Sequence, residues 1–398
     1  MIKARYFINF LTILFVVFLY TGYFFLQVDI YTGEGAMSRT YNSICGALIV
    51  LTMSIFILVH VKSLKAKNSV VLRFVIIWVY AIIIQTILTS EDVGRCLLNF
   101  YYVSIWPVSF ICLYTISSNS DVLQNDLIIQ RFAVLSFVAV LLFYVTARFA
   151  FNEITQIGSI GSSYFLMCFV PWVFIVKDLK LRYILIALVA ITILISSKRT
   201  SILGLALFIF VYVFSARRGR NIFAHFFVMC FFVVAVGSLF YYVDDKLLGG
   251  HITERFSNFE SGAEARDEIR LATLIQFNNS STVEKIIGHG YNTVINNNPF
   301  GLSAHNDYVE TLYDHGLVFS VLQIFIIVRL LLLSYKLYES NNFLFPSTFA
   351  SVALYVMMAY TTHLILYPYY FCILTGFWGF VEGNYVAQTK LTTHKHSW

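Results

Sequence analysis

The sequence predicts an all-α protein that crosses a membrane about twelve times, with one large polar loop between the ninth and tenth crossings. Three observations predict it. Hydrophobic residues make up 59% of the 398 and charged residues only 12%, with a mean hydropathy of +0.76, whereas a soluble domain carries about a quarter charged residues. Apolar runs recur at lengths near the roughly 20 residues that take a helix across ~30 Å of hydrocarbon. Basic residues concentrate in alternate short connections.

The runs cover 6–28, 41–61, 70–89, 98–116, 132–151, 160–176, 181–195, 202–215, 222–243, 317–335, 347–366 and 371–387. The first follows a basic Met1-Ile-Lys-Ala-Arg5 start, as a signal peptide would. It is too long, and no small-residue cleavage site follows, so it reads as the first crossing. Lys3 and Arg5, then Lys62, Lys65 and Lys67, then Lys177, Lys180 and Arg182, then Arg217, Arg218 and Arg220 fall on one side if the N-terminus is cytoplasmic. Both termini are then expected inside, and Lys390 and Lys395 in the tail agree. The chain divides into 1–243 with nine crossings, a loop at 244–316 on the outer side, and 317–398 with three crossings and a tail.

Composition excludes several classes. Cys45, Cys96, Cys112, Cys168, Cys230 and Cys372 lie nearly all in apolar runs and none in the loop, so no disulfide framework or cysteine metal site is expected. The net charge of +6 reads as cytoplasmic loops facing anionic lipid, not as a nucleic-acid signal. No Walker loop, His-Glu-x-x-His, strand-borne Gly-x-Gly-x-x-Gly or Asp-x-Asp is present, so neither a cofactor nor a metal is expected. No repeat relates the two halves, which counts against transporters built on inverted repeats.

The loop is acidic, with eleven Asp and Glu against five Lys and Arg. Two helices are expected in it. Over 264–277, Ile269, Ala272 and Ile275 form one stripe and Arg266 with Arg270 another face, the pattern of a helix lying on the membrane surface or on the bundle. Over 306–314, Asp307 with Glu310 suits a capping box and Gly316 a stop.

Three features carry possible chemistry. Ser196-Ser-Lys198-Arg199-Thr-Ser201 is a hairpin tip on the outer side, where two adjacent cations oppose the charge rule. It reads either as a solvated turn or as an anion site. Arg266 and Arg270 read either as a surface pair with Glu264 or Asp267, or as guanidinium forks for phosphate. Gly288-His-Gly290-Tyr-Asn292 is a tight turn with close backbone approach, followed by Ser303-Ala-His305-Asn306-Asp-Tyr308-Val-Glu310. His305 precedes a helix, whose amide end disfavours an added proton and keeps the imidazole neutral, as a general base requires. Asn306 or a carboxylate is expected to orient the ring. A loop histidine at a plain surface is the other reading.

Between 181 and 333 the chain resembles the superfamily of O-antigen polymerases and O-antigen ligases (Wzy and WaaL type). The resemblance rests on Ser197-Lys-Arg199, the large loop, Arg266 opening a loop helix, the turn from Gly288 to Gly290, and His305, Asn306, Tyr308, Gly316 and Leu317. Asp267-Glu-Ile-Arg270-Leu departs from it, because the family often has an aromatic shortly after the loop arginine. The resemblance implies glycosyl transfer from an undecaprenyl-diphosphate-linked glycan to a sugar hydroxyl at the outer face of a bacterial inner membrane. Arg199 and Arg266, with Lys198 and Arg270, would hold the diphosphate. His305 would take the acceptor proton, supported by Asn306, Tyr308, Gly288 and Gly290. Membrane lipids, a chain-length regulator and a flippase are the partners implied.

A polymerase of oligosaccharide repeat units is the first reading, and a ligase using the same site the second. A polyprenyl-phosphate-sugar glycosyltransferase would place an acidic base in the first outer loop, at Asp29 or Glu34. A flippase or transporter would predict charges deep in the spans, which hold few beyond Arg329, Glu382 and, at their edges, Arg73 and Arg148.

Overall fold

A computed structural model describes residues 4–22, 36–64, 69–89, 93–119, 122–150, 163–196, 198–216, 238, 242, 245, 259–362, 364–365 and 368–395. Every regular element among them is helical. Among the described residues, eight α-helices precede the loop: α1 (Ala4–Tyr20), α2 (Ala36–Val59), α3 (Leu72–Thr89), α4 (Val93–Asn119), α5 (Val122–Ala150), α6 (Ser163–Phe174), α7 (Leu179–Ile195) and α8 (Arg199–Ala216). The loop holds α9 (Phe259–Asn279), α10 (Thr282–Ile287), α11 (Thr293–Asn297) and α12 (Asp307–Glu310). A π turn, Thr311–His315, leads into α13 (Gly316–Glu339), and α14 (Phe345–Thr361) and α15 (Pro368–Lys395) close the chain.

Five of these helical stretches are long and apolar enough to cross a membrane: Leu72–Thr89, Phe100–Asn119, Gln124–Val145, Arg199–Ala216 and Asp307–Glu339. Several helices run past the apolar runs of the sequence. The fifth begins at Val122, ten residues before the run at 132, because polar Gln124, Asn125 and Asp126 continue the helix beyond its apolar part. The run at 222–243 lies outside the described residues apart from isolated positions. So do Asp29, Glu34, Arg217, Arg218 and Arg220. Cys45, Cys112, Cys168 and Cys372 are free thiols.

Helix α15 packs along α4 more extensively than any other pair. Gly376, Gly379 and Gly383 explain why, since they share one face of α15. A side chain at Gly379 would strike the Phe110 carbonyl, and one at Gly383 would lie 2.6 Å from the Tyr114 carbonyl. Small residues let two backbones approach where water offers no driving force.

Cross-links sort the helices into two ends. At one, Gln85 of α3 donates to the Asp314 carbonyl at 2.9 Å, and the carbonyl of Tyr360 at the end of α14 meets the loop. At the other, the Lys177 ammonium and Asp126 carboxylate pair at 2.6 Å, and Asn342 donates to Gln388 at 2.8 Å.

The far end also accounts for the two charges inside the spans. Glu382, fully buried, accepts from the amides of Val70, Val71 (2.6 Å) and Leu72 (3.0 Å), the open donors at the start of α3. Arg329 donates to the Val70 carbonyl at 2.9 Å and lies over the Phe74 ring. Glu382 is thus the cap of α3, and Arg329 holds the backbone just before it. Glu382→Ala, which leaves three buried amides without an acceptor, should cost about 2 kcal/mol. Glu382→Gln, which keeps one acceptor oxygen, should lose less. Thermal unfolding of detergent-purified protein checks this, and equal melting temperatures would show that α3 does not depend on the cap.

Candidate active site

The loop is joined to the bundle through the turn at Gly288. Gly288 has φ +80° and Gly316 φ +77°. A Cβ on Gly288 would strike the Asp314 carbonyl, and one on Gly316 would meet the Gly288 amide nitrogen at 2.5 Å. The Gly290 amide donates to the Asp314 carbonyl at 2.8 Å. The close approach expected at Gly288 and Gly290 is therefore to the chain's own π turn.

Asp314 completes this joint. Its buried carboxylate accepts from the amides of Asn292 (2.7 Å), Thr293 (3.0 Å) and Val294 (3.0 Å) and from the Thr293 hydroxyl (2.8 Å), capping α11. His315 Nδ1 meets Gln85 Oε1 at 2.7 Å, tying the same turn to α3. His289 stacks on Tyr313 with ring centroids 4.1 Å apart. Its Nδ1 lies 3.0 Å from the Tyr313 carbonyl, which can only accept, so Nδ1 carries the proton and His289 is a structural group.

Helix caps differ from the expected box. Asn306, not Asp307, caps α12, its side-chain oxygen accepting from the amides of Tyr308 (3.0 Å) and Val309 (3.1 Å). Asp307 is fully buried and accepts from the amides of Leu364 (2.9 Å) and Ile365 (3.2 Å). Gly316 does supply the stop: at φ +77° and ψ −175° it caps the end of the π turn into which α12 widens, and α13 starts from it. The real capping box is Ser281 with Glu284, which starts α10 and holds the Glu284 carboxyl below its ordinary range. α10 and α11 are the two loop helices that hydrophobic periodicity does not reveal, being only 6 and 5 residues long.

On α9 the inward face is not the stripe of Ile269, Ala272 and Ile275, since Ile275 is 51% exposed. Ile269 and Thr273 are buried, with Arg266 and Arg270 half-buried beside them. The polar face turns inward because carbonyls there accept from it. Arg270 donates from Nε to the Ala304 carbonyl (3.4 Å) and from Nη2 to the carbonyls of His305 (3.2 Å) and Tyr360 (3.0 Å). It also pairs with the exposed Asp267 carboxylate at 3.1 Å, and its guanidinium lies 5.3 Å from the Tyr360 ring centroid. Arg266 makes no such bonds to described residues.

His305 stands at the centre. It adopts φ +49°, a left-handed conformation that costs a non-glycine residue about 1–2 kcal/mol. Burial lowers the pKa of its imidazole to about 4, helped by the cations Arg266, Arg270 and Lys198. Those three come from segments about seventy residues apart in sequence, Lys198 from the α7–α8 turn and both arginines from α9. Arg199 opens α8 and is half-buried. Asn306 supports the site through its cap and a 3.1 Å bond to the Tyr360 carbonyl rather than by orienting the ring. Tyr308 reaches the Val356 carbonyl at 3.4 Å.

Glu310 is the group whose place the sequence did not reveal. It is 3% exposed and faces the amides of Ala304 and His305, yet neither oxygen makes a hydrogen bond of ordinary geometry. Among the described residues no group of three His, Cys, Asp or Glu side chains could hold a metal ion. No protein-family model matches the sequence, and no curated protein matches it.

Gly288→Ala should abolish accumulation of folded protein, since it adds a clash to the strained φ. Gly301→Ala, at φ +62° but with open space around it, should cost only about 1 kcal/mol. Quantitative blotting of membranes and thermal unfolding distinguish the two, and a well-folded Gly288→Ala protein would refute the joint.

Proposed function

We propose that this protein is a polymerase of lipid-linked oligosaccharide repeat units, transferring a glycan from a polyprenyl diphosphate to a sugar hydroxyl at the outer face of a bacterial cytoplasmic membrane. One observation carries the reading: a neutral, half-buried imidazole at His305 beside cations from Lys198, Arg266 and Arg270. A surface histidine has no use for such a ring of charge. A base and an anion site side by side suit a reaction with an anionic leaving group and a protic nucleophile.

In the transfer, the acceptor oxygen bonds to the anomeric carbon while the bond from that carbon to the diphosphate oxygen breaks. The electron pair leaves on the diphosphate, where Lys198 and Arg266, with Arg199 at the adjoining helix start, stabilise it. The acceptor proton passes to His305. The cations that hold the free imidazole unprotonated are partly neutralised once the diphosphate binds, so the base strengthens when substrate is present. The energy comes from the glycosyl diphosphate bond.

The reading includes the fuller topology: about twelve crossings, both termini cytoplasmic, and the loop of 244–316 outside. It also includes a flippase and a chain-length regulator as partners. The arrangement of helix ends supports it, since the loop, the Lys198 turn and Tyr360 share one end while the Lys177 and Glu382 contacts share the other. A reporter fused at Asn298 should be active only outside and one at Ser340 only inside, and the reverse pattern would overturn the site.

For His305→Ala, polymer formation from purified lipid-linked repeat units should fall about 10²- to 10⁴-fold at unchanged protein level. Normal polymer would move the base elsewhere, with Glu310 the next candidate. A strain lacking the protein should make glycan with a single repeat unit attached. Loss of all attached glycan would instead identify a ligase.

The acid limb offers a further check. The free imidazole gains its proton only near pH 4, so kcat/KM should hold from pH 7 to below pH 5. An unperturbed histidine would halve it near 6.5. A limb at 6.5 would show that neither burial nor the cations act on the base.

A further inference from the structure

Arg270 and Glu310 approach the same short stretch of backbone from opposite sides. The guanidinium donates to the carbonyls of Ala304 and His305, and the buried carboxylate faces the amides of the same two residues. Between them His305 is held at φ +49°. Left to itself, a histidine would relax into an extended or right-handed conformation, because the left-handed one brings its Cβ against the carbonyl. Something must hold the strain, and sparsely populated backbone persists only where its surroundings over-determine it.

We propose that Arg270 is a positioning residue that grips the Ala304–His305 backbone and aims the imidazole, with Glu310 packed beneath the same two residues, and that Arg270 is not a ligand of the diphosphate. This rests on the glycosyl-transfer reading above but changes the role of one arginine within it. Four of the guanidinium's contacts are already made, to three carbonyls and the Asp267 carboxylate, with the Tyr360 ring alongside. A fork so engaged has no paired edge left for bidentate phosphate recognition. Arg266, one turn earlier on the same face and without such bonds among the described residues, keeps its fork for the anion.

The same grip ties the histidine to the end of α14. Arg270 and Asn306 both donate to the Tyr360 carbonyl, and Asp307 accepts from the amides of Leu364 and Ile365. Glu310 is buried beneath Ala304 and His305. It lies against Asp314 and Asp307 as well as the two amides, so its place there is costly and is offset by what it holds.

The two roles separate in the balance of binding and turnover. In detergent-purified full-length protein, Arg270→Lys should bind undecaprenyl diphosphate within about twofold of wild type. Its kcat should fall about 10- to 100-fold, since misplacing a base by about 1 Å costs on that order. Arg266→Lys should show the reverse emphasis, with binding weakened at least about tenfold. Glu310→Gln, which reaches the same peptide from the other side, should repeat the Arg270 pattern and serves if the arginine variant fails to fold.

Modification of His305 by diethyl pyrocarbonate, followed across pH by mass spectrometry, reads the imidazole without any substrate. Both Arg270→Lys and Glu310→Gln should change its rate and midpoint, although the first keeps the positive charge. Equal loss of lipid binding in Arg270→Lys and Arg266→Lys with an unchanged His305 profile would make Arg270 a diphosphate ligand and overturn the proposal. So would wild-type turnover in Arg270→Lys. If wild-type protein neither binds the lipid diphosphate nor turns over, the glycosyl-transfer reading fails, while the positioning of His305 still stands or falls on its modification profile.

Discussion

A carboxylate buried in this protein must be saturated by backbone amides, and the structure is assembled around that requirement. Among the described residues the device occurs three times. Glu382 takes the open amides at the start of α3, Asp307 those of Leu364 and Ile365, and Asp314 those of Asn292 to Val294. In each case an acid from one segment satisfies donors that begin or end another, so one contact offsets two desolvation costs. These links join segments far apart in the chain. Asp307 and Asp314 fasten the loop to the end of the bundle, and Glu382 fastens α15 to α3.

Glu310 is the departure from this pattern, and its position next to His305 gives the departure meaning. Its carboxyl lies close to the amides of Ala304 and His305 without forming hydrogen bonds of ordinary geometry. Opposite lie Lys198, Arg266 and Arg270. The imidazole therefore sits beside fixed cations in a half-buried place, where such charges act more strongly than in water. Burial, helped by the cations, sets its protonation, and the backbone grip sets its direction.

The joint at Gly288 explains how a polar loop can hold a fixed geometry at a membrane boundary. Two glycines at positive φ let the turn and the start of α13 meet backbone to backbone, and no side chain could replace either. His289, Tyr313, Gln85 and His315 seal that contact with hydrogen bonds and a stacked pair of rings. Their polarity at this place serves packing.

The helical class, the apolar helices and the hairpin tip at Ser196 to Lys198 were legible in the sequence, because hydrophobic run length and breaks in it report helices directly. His305, Lys198 and Arg266 were legible as polar residues out of keeping with their surroundings. Arg270 was legible too, but its role was not, since Arg266 and Arg270 are equivalent by helical spacing and differ only in which carbonyls lie within reach. The caps misled for a similar reason. Asp307 and Glu310 have the spacing of a capping box, yet Asn306 takes the cap while Asp307 bonds residues far along the chain. The short helices α10 and α11 carry too few residues for a periodic signal. By itself the sequence determined what each residue could do, namely span a membrane, carry a charge or accept a proton. Only the tertiary structure decided which groups meet, because a buried charge or amide takes its partner from wherever the fold brings one, at any distance along the chain.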